Sequence, residues 1–389
     1  MDSTFETQEN IYDLAVIGAG PAGSHAAALA AWAGLKTILI DKKQHPRVKS
    51  CGGFISSRAL SLLPPDLDST TFRGEAVYKI GVKLGSEIKY HHAEKRLGLL
   101  VKREAFDLAL AKYAEQKGVK QLFKYRLSNI YRDECPDLYL LQLKILNSDI
   151  ELNIKTRFII GADGAYSYTA RLSGLRENYS GLKGRGQSII LDDGTQITDP
   201  GTLLFYPLPL IGGMGWSFHG SRWLNRGVGA LAGWKKISNA CHSLFNKHGD
   251  NPDHAYQKWV LPFRGPVMEN AKYNTLLIGD AAGLVEPFSG EGLFNAFLSS
   301  LLAVKSIITA NNKGIEAKAI YDKHFRNYFK NNFPHTILEA FTMHGKALRA
   351  NKNLPGNFAL LMQNKHGINK NLGYSSPLIS VFDKVMDSR

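Results

Sequence analysis

Three short runs in this chain have the residue types and spacing that handle a phosphate-bearing cofactor. The first is Gly18-Ala19-Gly20-Pro21-Ala22-Gly23, a GxGxxG pattern. In that pattern Gly18 permits a tight turn out of a strand, Gly20 lets the backbone approach a pyrophosphate, and Gly23 allows a helix to pack closely on a sheet. The helix that opens at Pro21 and Ala22 attracts the anion with its N-terminal N–H groups. Asp41, at the end of the next strand and followed by Lys42, is placed to accept from a ribose 2′-hydroxyl. Such a unit suits NAD or FAD; its bland alternative is a glycine-rich turn. The second run is Asp163-Gly164 at another strand end, which also reads as a plain turn. The third is Gly279-Asp280-Ala281-Ala282-Gly283. A carboxylate at Asp280 can accept from a ribityl hydroxyl, which FAD has and NAD lacks. The chain then runs through Pro287 to Gly290, Gly292 and Leu293 at a helix start, where backbone N–H groups can face a flavin edge.

The elements around these runs follow from hydropathy. Residues 11–41 read as β-α-β: an apolar strand, an Ala-rich helix stopped by Gly34, and a β-branched strand ending on Asp41. Two more apolar strands, in 157–164 and 274–283, also end in Gly and Asp. Residues 76–89 and 188–232 show short strands rich in glycine, the texture of an antiparallel sheet. From 293 to 348 the texture is helical. The expected fold class is α/β: a Rossmann-like FAD-binding domain from 1–75, 97–175 and 265–310, an antiparallel β-sheet substrate domain from 76–96 and 176–264, and a C-terminal helical region over 311–389.

The 389 residues suffice for more than one domain, and 44% hydrophobic with 21% charged residues is the balance of a soluble globular chain. No unbroken apolar run approaches the roughly 18 residues of a membrane span. The first ten residues lack a basic and then apolar leader pattern. Cys51, Cys135 and Cys241 are widely spaced and form no CxxC, so neither a disulfide framework nor a metal site is expected, and a cytoplasmic location fits. The net charge is +14, and residues 301–389 hold 13 Lys/Arg against 5 Asp/Glu. That basic quarter reads as solvated surface, as a peripheral contact with an anionic membrane, or as a seat for a phosphate-bearing substrate. No nucleic-acid motif is present, and nucleic acid is not an expected partner.

In order and spacing, GAGPAG at 18–23, GADG at 161–164 and GDAAG at 279–283 resemble the three fingerprints of the FAD-dependent aromatic-hydroxylase superfamily. The resemblance implies non-covalent FAD and places Arg103, in VKREAFD, near the FAD phosphates; an ion pair with Asp107 is the alternative. Two segments are similar to the geranylgeranyl reductase family within it. Lys49-Ser50-Cys51-Gly52-Gly53-Phe54-Ile55-Ser56 looks like its KxCGGxxS element. Residues 212–219 with 224–229 resemble its GGYxWxFPKG and NVGxG stretches, departing at Met214, His219 and Gly220-Ser221, and GEGL at 290–293 resembles its GEGI.

The resemblance implies hydride transfer from reduced flavin to the double bond of a long apolar prenyl-type substrate, with the flavin ring near Cys51 and Pro287. Cation character at an isolated alkene calls for aromatic walls, for which Trp216, Phe218 and Phe288 are candidates; all three also suit an ordinary core. Cys51 is the candidate proton donor, or inert packing; His219 is a second donor candidate, or structural. Residues 203–213, LLFYPLPLIGG, offer an apolar cavity wall. No second GxGxxG follows, so NAD(P)H or another electron donor is expected to dock transiently. A flavin monooxygenase acting on an aromatic or polyketide-like substrate is the alternative on the same fold. A halogenase is disfavoured by the missing WxWxIP pair, and a flavin carrier without turnover completes the set.

Overall fold

The structure is a computed structural model and describes residues 11–133, 138–146, 148, 150–175, 183–192, 197–245, 256–263, 269–287 and 289–330. Its larger sheet has a parallel core, in spatial order Lys120–Phe123, Thr37–Asp41, Tyr12–Ile17, Glu151–Gly161 and Thr275–Leu277. Parallel strands are covered on both faces, which is why they read as continuous apolar runs. Leu14, Val16, Leu39 and Ile160 pack on one face with the helices Pro21–Trp32, Arg103–Gln116 and Leu293–Lys313. Ala15, Ile17, Ile38, Ile40 and Ile159 pack on the other. That second face is covered by an antiparallel meander, Tyr125–Arg132 and Tyr139–Ile145, which returns onto the first half of Glu151–Gly161. The sequence texture had not separated this meander from the α/β unit.

The second sheet has seven strands, in the order Gln257–Pro262, Lys183–Leu191, Leu224–Ala230, Met214–His219, Thr202–Pro207, Lys79–Leu84 and Glu87–His92. All neighbours are antiparallel except Thr202–Pro207 with Lys79–Leu84. A small third sheet joins the two: Gly98–Leu100 pairs with Phe54–Ser56 on one side and Glu75–Val77 on the other. The strand at Glu75–Val77 therefore straddles the boundary expected between 75 and 76.

The helix Leu293–Lys313 corrects one expectation. Its 21 residues contain a window of mean hydropathy 1.6, long and apolar enough to cross a membrane. Polar residues such as Asn295, Ser299, Ser300 and Ser306 break the unbroken run, so a search for continuous apolarity passes it over. Since 78% of the window is buried in the protein, it serves as a core helix. After it come Ala317–Phe325 and one π-helical turn, Arg326–Lys330. The rest of the expected helical region lies outside the described residues.

Candidate flavin and substrate site

The three glycine-rich runs meet at the carboxyl ends of the parallel strands. Gly18 lies at φ +104°, a region open to glycine, and a Cβ there would stand 2.4 Å from the Ala162 carbonyl oxygen. The Ala162 N–H donates to Ile17 and the Ile278 N–H to Gly161, tying the second and third runs to the first. Gly20 has an open side: a Cβ would meet only the Arg47 guanidinium, at 3.7 Å. Gly23 does not reach the cavity; its Cβ would fall 1.7 Å from the Gly18 carbonyl oxygen, so its role is helix packing. Gly279 likewise acts through packing, at φ +55° with its N–H donating to Ser299 Oγ.

One cavity of about 360 Å³ connects these runs to the seven-stranded sheet. At one end it is lined by Gly18, Gly20, Pro21, Ala22, Asp41, Lys42 and Arg47. Asp41 Oδ2 accepts from the Ala19 N–H at 2.7 Å and pairs with Arg47 at 3.2 Å. Arg47 was missed in the sequence, where it is one cation in a basic loop. In the middle lie Lys49, Cys51, Gly52, Arg103, Asp163, Gly164, Asp280, Pro287, Gly290, Gly292 and Leu293. At the far end Phe205, Met214, Trp216, Phe218 and Trp259 form an aromatic and apolar wall. Trp216 and Phe218 are i, i+2 on one strand and so share its cavity face. Phe288 lies outside the described residues.

The donor set fits FAD. The helices at Pro21 and Leu293 both begin at a glycine with no side-chain cap and no acidic residue in the first turn. Their orphan N–H groups lie at the cavity and suit anionic or electron-rich ligand atoms. Asp280 Oδ1 lies beside Gly292, 3.4 Å from where a Cβ would be.

Several expected residues take different roles. The Asp163 carboxylate accepts from Ser167, Thr169 Oγ1 and the N–H groups of Tyr168 and Thr169, so it satisfies the first turn of the helix Tyr168–Leu172 beside the Ser167 cap, while the residue still lines the cavity. Burial pushes its pKa up, partly offset by those bonds. Arg103 lines the cavity, but its Nε and Nη2 donate to both oxygens of Asp107 at 2.8 and 3.0 Å. It forms the Asp107 pair, buried rather than at the surface. Burial opposes its charge, yet Asp107 and Cys51 outweigh that and raise its pKa. His219 is not among the cavity-lining residues; it contacts Ser217 Oγ at 3.2 Å and the Thr198 carbonyl.

Cys51 lies where flavin runs and aromatic wall meet. Its sulfur accepts from the Gly53 N–H at 3.4 Å, and its carbonyl accepts from Asn225 at 2.7 Å. A second unexpected cluster joins two motifs. Glu291, from GEGL, accepts from Ser56 of the KxCGGxxS-like element and from Arg58, whose guanidinium lies 4.5 Å from the Phe294 ring centre. Ser56 and Glu291 are 235 positions apart, so no local pattern announces their contact.

Comparison with known proteins agrees with this geometry. Residues 12–192 match the family described as FAD binding domain. The chain is 27% identical over 332 residues to a digeranylgeranylglycerophospholipid reductase of Methanothrix thermoacetophila, covering 81% of this chain and 83% of the relative. It is 29% identical over 337 residues to a menaquinone reductase of Mycobacterium tuberculosis, covering 81% of each. Its fold matches a geranylgeranyl bacteriochlorophyll reductase-like protein from Thermoplasma acidophilum with a TM-score of 0.73 at 20% identity, over 96% of this chain and 99% of the other. Flavin fingerprints that converge on one cavity, a match to an FAD binding domain over residues 12–192, and reductase relatives alike over four-fifths of the chain make this protein an FAD-dependent oxidoreductase similar to the geranylgeranyl reductases.

Proposed function

We propose that the protein reduces carbon–carbon double bonds of a long apolar, prenyl-type substrate. The observation that carries this reading is the continuity of one cavity from the flavin runs, past Cys51, to the wall of Phe205, Met214, Trp216, Phe218 and Trp259. That wall offers ring faces and a thioether, with few groups to orient a polar molecule. FAD, when bound and reduced, supplies a hydride. Trp216 and Phe218 hold the alkene and stabilise the cation character that develops on it. The Cys51 thiol stands at the junction as the proton donor for the other carbon, its sulfur oriented by the Gly53 N–H. The relatives named as reductases of a digeranylgeranyl lipid and of menaquinone support a substrate of this class.

NAD(P)H or another reduced carrier docks transiently as electron donor. A peripheral position at an anionic membrane, from a cytoplasmic location, would bring such a substrate to the cavity. The test is anaerobic incubation of the reduced enzyme with geranylgeranyl compounds. Products heavier by two hydrogens per reduced bond are expected, and Trp216→Ala loses most of the activity. If no prenyl compound reoxidises the flavin, while an aromatic compound gains oxygen and accelerates oxygen-dependent NADPH consumption, the monooxygenase reading replaces this one.

A further inference from the structure

The Cys51 loop belongs to the flavin-binding half of the chain, and Trp216 belongs to the seven-stranded sheet. One side chain joins them. Asn225 is 1% exposed; its Oδ1 accepts from the Trp216 indole Nε1–H at 2.8 Å, and its Nδ2 donates to the Cys51 carbonyl at 2.7 Å. Indole nitrogen only donates and a carbonyl only accepts, so these two partners fix which way the amide faces. The sheet register explains the contact. Asn225 stands opposite Phe218, and Gly227 stands opposite Trp216. A Cβ on Gly227 would lie 2.3 Å from Trp216 Cζ2, so the indole rests over the glycine and reaches along the strand to Asn225.

The second half of the argument is peptide geometry. In a planar trans peptide the N–H points opposite to the C=O. With the Cys51 carbonyl held against Asn225, the Gly52 N–H points away from the sheet. Gly52 lines the cavity, and no described residue accepts from its N–H. Gly52 is itself confined: a Cβ there would stand 2.6 Å from Phe218 Cε2.

We infer that Asn225 is a positioning residue: it sets the Cys51–Gly52 peptide so that the Gly52 N–H faces the bound flavin, and it links that orientation to the indole that walls the substrate end. A substrate pressing on Trp216 then acts on the Cys51 loop through two hydrogen bonds. The inference rests on the flavin reading of the cavity and not on the identity of the substrate.

The test uses the full-length FAD-loaded protein and Asn225→Leu, which keeps the number and branching of heavy atoms, removes both bonds and adds no charge. Two readouts do not depend on turnover. Losing an N–H directed at the flavin lowers its midpoint potential and shifts its visible bands, because electron density on the reduced ring loses a donor. Freeing the loop speeds alkylation of Cys51 by iodoacetamide, quantified on the Cys51 peptide, by fivefold or more. Trp216→Phe, which removes the indole donor together with one ring's volume and leaves the Asn225–Cys51 bond, moves both readouts in the same direction by less. If Asn225→Leu binds FAD with potential, spectrum and alkylation rate at wild-type values and only melts earlier, Asn225 is merely a strut and the inference fails. Should that variant not fold, wild-type values in Trp216→Phe overturn the link equally. A wild type that takes up no FAD would instead defeat the flavin reading, while the alkylation comparison could still be made on the apoprotein.

Discussion

His25 shows how a single buried side chain sets the response of this protein to acid. It lies on the Pro21–Trp32 helix, with Nε2 3.0 Å from the Leu62 carbonyl and its ring centre 5.1 Å from that of Phe297. Burial lowers its pKa from 6.5 to about 4, against a smaller upward pull from the Leu62 carbonyl. The folded state therefore holds His25 neutral where the unfolded chain protonates it. The associated stability is complete above pH 6.5, declines as pH falls through that value, and is gone below about pH 4. A shift of that size corresponds to about 3 kcal/mol. Thermal melts from pH 7.5 to pH 4 should show this decline, and His25→Gln should flatten it; an equal slope in both proteins would exclude His25 as the cause. No motif marks His25, because its burial comes from tertiary packing, in which Phe297, 272 positions away, is one contact. Gly18, Gly20 and Asp41, by contrast, were readable because their chemistry is local.

At the scale of elements, the fit between the Cys51 loop and the aromatic strand is tight enough to predict a steric outcome. A Cβ at Gly52 would stand 2.6 Å from Phe218 Cε2 and 3.1 Å from Cδ2. The Phe218 ring has little room to yield, with ring centres of Phe205 at 5.3 Å and Trp216 at 6.2 Å. Gly52→Ala should therefore cost roughly 1–3 kcal/mol and displace the loop, lowering both melting temperature and activity. The double variant Gly52→Ala/Phe218→Leu should recover part of the stability. If the single variant melts with wild type, the loop and strand do not pack as described. This contact explains the first glycine after Cys51, and φ +81° with a Cβ 2.4 Å from the Val101 carbonyl oxygen explains Gly53; the sequence offered the pair only as a resemblance. Elements were legible where period and length spoke clearly, as in Pro21–Trp32 and Thr37–Asp41. The meander of Tyr125–Arg132 and Tyr139–Ile145 was not, because alternating strands inside an α/β segment carry no mark of the sheet they will join.

At the scale of the whole molecule, the flavin site is assembled from residues near 20, 50, 103, 163, 280 and 290. Such a site exists only in the folded chain, so FAD should bind the native state and not the unfolded one. Raising free FAD to about a hundred times its dissociation constant should add about 2.7 kcal/mol and raise the melting temperature accordingly. Asp280→Ala should reduce that gain by weakening FAD binding about ten- to a hundredfold, as loss of a charge-assisted hydrogen bond of roughly 1.5–3 kcal/mol implies. Equal melting temperatures with and without FAD, in protein that takes up no flavin, would overturn the cofactor assignment.

The sequence by itself determined what depends on neighbours along the chain. Turns that need glycine, helices that open on one, strands with a buried period, and a carboxylate after a strand all express backbone geometry over a few residues. These were enough to specify the FAD-binding fold and the glycine-rich runs that line its cavity. Only the tertiary structure decided what each polar side chain is bonded to. It decided for Arg103 between the two partners the sequence had offered, moved His219 off the cavity, and joined Ser56 to Glu291 and Asn225 to Cys51. The physical reason is that a buried polar group must find a partner wherever one is within reach, and that partner is chosen by packing in space rather than by spacing in the chain.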